Sequence, residues 1–271
     1  MVVFVQPLVE LAVTNSKAIP PFLETSFRFL IDKGLDTKGI FRVSGLDIEI
    51  NKFQSIIDAT GDIVYPPDTT PFVVANLITR FIRLIPNHLM IDKYADSWSK
   101  VSTPEEAQKL FLALPLINKA VLARIIGFFV LVTRHKTNLM DTKALSIVLS
   151  PILISKPNDR MWLLPFHVIE IFLKDYEIVF GSMTSFDKSG NFMSADEFNS
   201  TIGDVCNQFF CQSTLTTPLQ LKPLEEMKQC KLTRNLDIPK PEWESLFKTL
   251  LTIDYSPSDE SSSTFTFQTN T

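Results

Sequence analysis

An all-α fold is what this sequence predicts, and three observations predict it. Apolar residues recur three and four apart from Pro20 to Phe180, prolines and glycines punctuate the segments, and no stretch alternates apolar and polar residues over the length of a strand. A helix buries one stripe at a period of 3.6, whereas a half-buried strand needs a period of two.

Leu23, Phe27, Leu30 and Ile31 make the first helical run, with Pro20 or Pro21 in its first turn and Gly34 at its end. Ile48, Ile50, Phe53, Ile56 and Ile57 make the second, closed by Gly61, with Asp47 and Glu49 near the start where the helix dipole favours acids. Tyr65 to Thr70 reads as a loop. Thr70 is placed to cap a third helix that begins with Pro71, carries Val74, Leu77, Ile78, Phe81, Ile82 and Ile85, and stops at Pro86. Ser102-Thr103-Pro104-Glu105-Glu106 starts a short helix that runs to Leu114 and is broken by Pro115. The segment from Asn118 to Thr133 is apolar nearly all round, so it reads as a central buried helix. Further buried helices are expected over 141–154, ending around Pro151, and over 162–180, carrying Phe166, Ile169, Phe172, Leu173 and Tyr176.

After Gly181 the character changes. Residues 182–255 are expected to form a helical extension, with two or three small helices over 197–251, and the Ser/Thr-rich stretch 256–271 reads as a disordered tail. The first unit would then be residues 1–181. Asp187 to Phe198 has some of the pattern of a calcium loop. Its sixth position is Phe192 where glycine is needed and its twelfth is Phe198 where a bidentate glutamate is needed, which argues against calcium.

Composition narrows the function. A net charge of −4 gives no electrostatic reason to expect nucleic acid. Three cysteines, Cys206, Cys211 and Cys230, are too few for a disulfide framework, and no fourth ligand completes a zinc set, so buried thiols and no metal are expected. His88, His135 and His167 follow no ligand spacing. No run of eighteen uninterrupted apolar residues occurs, so no membrane span or stable insertion is expected. With no secretion signal, a cytoplasmic location is expected. No Gly-rich phosphate loop is present, so the chain should bind no nucleotide.

One short stretch stands apart. Gly39-Ile40-Phe41-Arg42-Val43-Ser44-Gly45 lies between the first two helical runs. Glycine at each end allows a tight turn, and Ile40, Phe41 and Val43 can pin it to a core while Arg42 faces solvent. A planar, permanently charged guanidinium held in this way suits a phosphate or a carboxylate. An ordinary interhelical turn with a surface arginine fits the same heptapeptide.

The wider context resembles one family. Gly34 to Gly45 resembles the loop that carries the arginine finger in the RhoGAP domain, the activating module for Rho-type small GTPases. Phe4-Val5-Gln6-Pro7-Leu8 with Ile19-Pro20, Arg83-Leu84-Ile85-Pro86-Asn87-His88-Leu89, and Asn138 to Ser146 leading to Pro151 resemble three further motifs of that family, in order. The resemblance covers residues 4 to 180 and implies a RhoGAP-like helical bundle. It implies that Arg42 is the finger, supplied to a Rho/Rac/Cdc42-type GTPase that itself carries GTP and Mg. Gly39, Phe41, Ser44, Gly45, Thr79, Arg83 and Ala144 are the corresponding GTPase-binding or loop-supporting positions. Recruitment to a membrane would then come through the GTPase.

Two positions depart from the family pattern. A lysine expected seven residues before Pro86 is Thr79, and an asparagine expected seven residues before Pro151 is Ala144. Arg80 and Lys143 are each one residue off, which on a helix turns a side chain by about 100°. Three readings follow: an activator using Arg42, a module that binds a Rho-type GTPase without accelerating it, and a helical scaffold for another partner such as lipid or a calcium-regulated protein.

Overall fold

A computed structural model describes residues 2–154 and 166–203, which are helical with no strand among them. Residues divide by compactness into Met1–Thr217 and Pro218–Thr271, and all the described ones lie in the first unit. The three cysteines, the helices expected beyond Gly203 and the Ser/Thr-rich tail lie outside the described residues.

The helices are α1 (Leu8–Asn15), α2 (Pro21–Lys33), α3 (Asp47–Thr60), α4 (Pro71–Leu84), α5 (Ala95–Trp98), α6 (Pro104–Leu112), α7 (Leu116–Arg134), α8 (Thr142–Leu153), α9 (Phe166–Lys174), α10 (Tyr176–Phe180) and α11 (Ala195–Thr201). Most boundaries fall where punctuation predicts. Pro21 and Pro71 open their helices, and Gly61 closes α3 in the left-handed conformation at φ 83°. Thr70 sits at the cap position of α4 without a side-chain hydrogen bond, whereas Thr103 does cap α6 by accepting from the Glu106 N–H.

The differences have local causes. α1, only eight residues long, is not anticipated from the spacing; it buries Leu8, Leu11 and Ala12 and ends on Ser16 at φ 51° rather than on a glycine. In α3 the buried stripe is Ile50, Phe53 and Ile57, while Ile48 is 85% exposed. α8 runs past Pro151 to Leu153. A proline there leaves the carbonyl four residues earlier without its helical partner; that residue, Ile147, is exposed, so water can supply one. The run expected over 162–180 is two helices, α9 and α10, divided at Asp175.

α7 is the centre of the bundle. It is long and apolar enough to cross a membrane by length and composition, but two-thirds of its most apolar window is buried among the other helices. Phe27 of α2 stacks on Phe128 of α7 with ring centroids 4.4 Å apart. One turn earlier, Arg124 of α7, 1% exposed, makes a bidentate pair with Glu24 of α2, both contacts 2.8 Å. Arg124 also donates to the Met193 carbonyl at 2.9 Å and lies 4.1 Å from the Phe192 ring centroid and 4.9 Å from that of Phe198. Residues 182–203, the start of the expected C-terminal extension, pack on the same core: Phe186, Phe198 and Ile202 are buried in it.

The calcium-like segment folds as a tight turn. The Asp187 carboxylate accepts from the Ser189 and Asn191 N–H groups, each at 2.8 Å, and from the Asn191 side chain, while Gly190 supplies a φ of 81°. Those hydrogen bonds, Asn191's first, hold the Asp187 carboxyl below its ordinary range. Ser194 and Glu197 then form a capping box for α11.

Removing one partner of a buried, hydrogen-bonded ion pair strands the other. Glu24→Ala should therefore lower the unfolding free energy by about 3–5 kcal/mol, measured by urea denaturation. A loss under about 1 kcal/mol would mean that the Met193 carbonyl and the aromatic rings suffice to hold Arg124.

Candidate functional site

The stretch from Leu35 to Gly45 links α2 to α3 and is held against the core, against α4 and against the turn after α7. Leu35, Ile40 and Phe41 are buried, so Ile40 and Phe41 enter the core as the sequence predicts, whereas Val43, expected to join them, is exposed. Phe41 meets Phe129 edge-on at 4.8 Å and Phe128 at 6.1 Å, both on α7. Phe41 does this with φ at 68°, a conformation that costs a side-chain-bearing residue about 1–2 kcal/mol.

The two glycines act differently. Gly39 takes a φ of 75°, and its carbonyl accepts from the Arg42 and Val43 N–H groups at 3.0 and 2.9 Å. Gly45 has no positive φ; it is needed for close approach. A Cβ there would stand 2.7 Å from the Val73 nitrogen and 2.8 Å from its Cα, at the start of α4. Asn76, one turn along α4, donates to the Phe72 carbonyl at 2.9 Å and more weakly to Val43 of the loop at 3.4 Å.

With Phe41 turned inward, Arg42 is exposed, and its guanidinium has no acid, carbonyl or ring partner among the described residues. It passes over Gly39, where an added Cβ would lie 3.6 Å from its Nη2. Ser44 is exposed and its hydroxyl is likewise unpartnered among the described residues. The surface beside it is apolar: Val43, Leu46 and Ile48 are all exposed.

The loop's other side is bonded to the turn after α7. The Asp36 carboxylate accepts from the Thr137 hydroxyl and faces His135 Nδ1 at 3.2 Å. Thr137 first, then His135, hold this exposed carboxyl below its ordinary range, so it is charged at neutral pH. The Gly39 N–H donates to the Asn138 carbonyl at 2.8 Å.

Of the helix positions predicted from sequence, Thr79 is half-buried on α4, and its hydroxyl turns back to the Asn76 carbonyl at 3.1 Å. Arg80 is directed at α3, with Nη1 donating to the Asn51 side-chain oxygen at 2.7 Å and that of Gln54 at 3.0 Å, and Nη2 lying 3.8 Å from the Asp47 carboxylate. Arg83 is exposed without a partner among the described residues. Ala144 packs half-buried against the core near the start of α8, its N–H held by the Asp141 cap at 2.8 Å. Lys143 is exposed. The loop and the first half of α4 are thus in contact, and α8 packs on α4. Asn76 is a loop contact that the sequence does not single out, whereas Asp36 and Asn138 lie within the quoted motifs without a role being assigned to them. No cluster of three histidine, cysteine, aspartate or glutamate side chains could hold a metal among the described residues.

The all-helical bundle has solved counterparts. Human Rho GTPase activating protein 15 superposes with a TM-score of 0.61 at 23% identity over 66% of this chain and 92% of that one. The BH domain of GRAF, the GTPase regulator associated with focal adhesion kinase, superposes at 0.54 and 19% identity, covering 65% and 96%. These establish the fold. Among curated relatives, Rho GTPase-activating protein gacJJ of Dictyostelium discoideum is 26% identical over 159 residues, 56% of this chain and 18% of the relative. The canine Rho GTPase-activating protein 35 is 31% identical over 154 residues, 52% of this chain and 10% of the relative. The match thus spans less than a fifth of those relatives' length. A model of the RhoGAP domain matches residues 20–158, just over half of the chain. The chain belongs to the RhoGAP domain family.

The two glycines should be separable by substitution. Gly45→Ala drives a Cβ into the backbone of α4 and should cost about 1–3 kcal/mol as overpacking does. Gly39→Ala should cost about 1–2 kcal/mol through the left-handed backbone alone. Melting of the two variants checks this; an unchanged melting temperature for Gly45→Ala would refute the close approach.

Proposed function

We propose that this chain is a GTPase-activating module that supplies Arg42 in trans to a Rho-type small GTPase and so shortens the life of its GTP-bound state. The observation that carries the reading is Arg42 itself: exposed, without a partner among the described residues, and attached to a loop fixed on both sides. A guanidinium already paired within its own chain would have to break that pair to reach a phosphate. Membership of the RhoGAP family supports the partner class.

The chemistry asked of such a residue is electrostatic. As the γ-phosphoryl group transfers to water, negative charge spreads over its oxygens, and a planar donor pair aimed there stabilises the transition state more than the ground state. An arginine supplied in this way is worth about 10³–10⁵ in rate, or about 4–7 kcal/mol at 1.36 kcal/mol per decade. GTP and Mg belong to the GTPase. This chain orients Arg42, and its loop would help exclude water around the phosphate. The exposed Val43, Leu46 and Ile48 give that contact an apolar rim.

One observation favours a second reading, a module that binds the GTPase without accelerating it. Thr79 spends its hydroxyl on its own helix, Ala144 has no polar group, and Arg80 is engaged with α3, so the polar support that the family places around the finger is absent at those positions. Arg42 needs no group from either position to reach solvent, which keeps the activator reading first.

Single-turnover GTP hydrolysis by a panel of Rho-type GTPases decides between the two. Acceleration by the wild-type chain that falls about 10³-fold or more in Arg42→Ala is expected. Binding of the GTP-loaded form with no acceleration would instead support the binding module. If absent polar support limits the rate, the double variant Thr79→Lys/Ala144→Asn should raise it, each restored hydrogen bond of about 1–3 kcal/mol giving up to about 5–150-fold. An unchanged rate would show that Arg42 works without them.

A further inference from the structure

We propose that Asn138 is a positioning residue for Arg42: its buried amide fixes the peptide from which the arginine projects, and it sets the hydrolysis rate through that arginine alone. The inference rests on the activator reading above. Asn138 is fully buried, and every polar atom of its side chain is used. Nδ2 donates to the Leu35 carbonyl at 2.7 Å and to the Val132 carbonyl at 2.9 Å, and Oδ1 accepts from the Met140 N–H at 2.7 Å. One side chain therefore joins the start of the loop, the end of α7 and the lead into α8. Its own carbonyl accepts from the Gly39 N–H, and the Gly39 carbonyl accepts from the Arg42 N–H. Two consecutive peptide hydrogen bonds thus run from Asn138 to the backbone of Arg42.

The Asp36 contacts to Thr137 and His135 brace the same turn from the solvent side. A small shift of this turn is magnified at the end of an arginine side chain, and misplacing a reacting group by about 1 Å costs on the order of 10²-fold in rate. The Asn138 and Asp36 side chains touch none of Val43, Leu46 and Ile48, the apolar surface beside the finger, and the peptide hydrogen bonds reach Val43 only at its backbone N–H, not at its exposed side chain. Ground-state affinity for the GTPase should therefore survive their loss, while the interaction made only in the transition state should not.

Asn138→Asp keeps the volume and the acceptor for Met140 but loses both donor bonds. Asp36→Ala, at an exposed position, removes only the outer brace. The maximal single-turnover rate and the affinity for GTPase loaded with a non-hydrolysable GTP analogue are measured for wild type, Arg42→Ala, both new variants, and Asn138→Asp combined with Arg42→Ala. The expected result is a fall of about 10–100-fold in maximal rate for Asn138→Asp, a smaller fall for Asp36→Ala, and unchanged affinity in both. In the Arg42→Ala background Asn138→Asp should add nothing, because residues acting as a unit are not additive. A folded Asn138→Asp with the wild-type maximal rate overturns the inference, as does an effect that keeps its full size without Arg42, or one that appears in affinity alone. If Asn138→Asp does not fold, Asp36→Ala at the wild-type rate overturns it. No acceleration by the wild-type chain removes the activator reading and this inference together, whereas wild-type acceleration with unaltered variants removes the inference alone.

Discussion

The pairing of α2 with α7 is the constraint on which the rest of this structure depends. Glu24 and Phe27 lie one turn apart on α2, and Arg124 and Phe128 lie one turn apart on α7, so a bidentate ion pair and a stacked ring pair close the same interface. The ionic half is unforgiving. A guanidinium with almost no exposure must be matched by charge and hydrogen bonds, because a buried cation without them is strongly destabilising. One nitrogen of Arg124, Nη1, has no hydrogen-bond partner among the described residues, and the faces of Phe192 and Phe198 offer the cation partial compensation. The segment after α10 is held to the core by that same residue. Since the loop bearing Arg42 starts where α2 ends and rests on α7, the angle between these two helices decides where the loop begins.

Within the loop, a buried residue and an exposed one are made neighbours by backbone strain. Phe41 occupies a left-handed conformation that a phenylalanine adopts only at a cost, and the two aromatic contacts on α7 offset it. The turn so formed sends successive side chains in opposite directions, Phe41 inward and Arg42 to solvent. Gly39 on one side supplies a second left-handed residue, and Gly45 on the other lets the chain pass against α4. A flexible loop could expose an arginine equally well. It could not return that arginine to one place each time.

Much of this was legible in the sequence because it depends on period and punctuation. The starts of α2, α4 and α6 follow their prolines, and the ends of α2 and α3 follow glycines. The loop's inward residues Ile40 and Phe41 followed from hydrophobicity, although Val43, read in the same way, is exposed. What was not legible depends on partners distant in sequence. Asn138 meets Leu35 from 103 residues away, and the Arg124 ion pair spans 100; no local pattern encodes either. Gly45 was read as a conformational glycine because Val73 is invisible from its own neighbourhood. Nothing in the neighbouring sequence marks Arg124 as buried, and only the fold tells it apart from a surface arginine.

The contrast between Arg80 and Arg83 shows how helical phase divides similar residues. Arg80 follows Thr79 by one position and swings to α3, where Asn51, Gln54 and Asp47 occupy it. Arg83 returns to the face of Thr79 after one turn and stays exposed, without a partner among the described residues. A helix can therefore carry two arginines three residues apart of which one is consumed in packing and one is left available. For a partner with a polyanionic centre, the cations that count are those that need not first be released. Arg80 would have to give up two hydrogen bonds, each repaid only partly by a new one. Under the proposed activator reading, any weakening caused by Thr79 is thus not made good by its neighbour, and the electrostatic demand would fall on Arg42 and on the precision with which its loop is held.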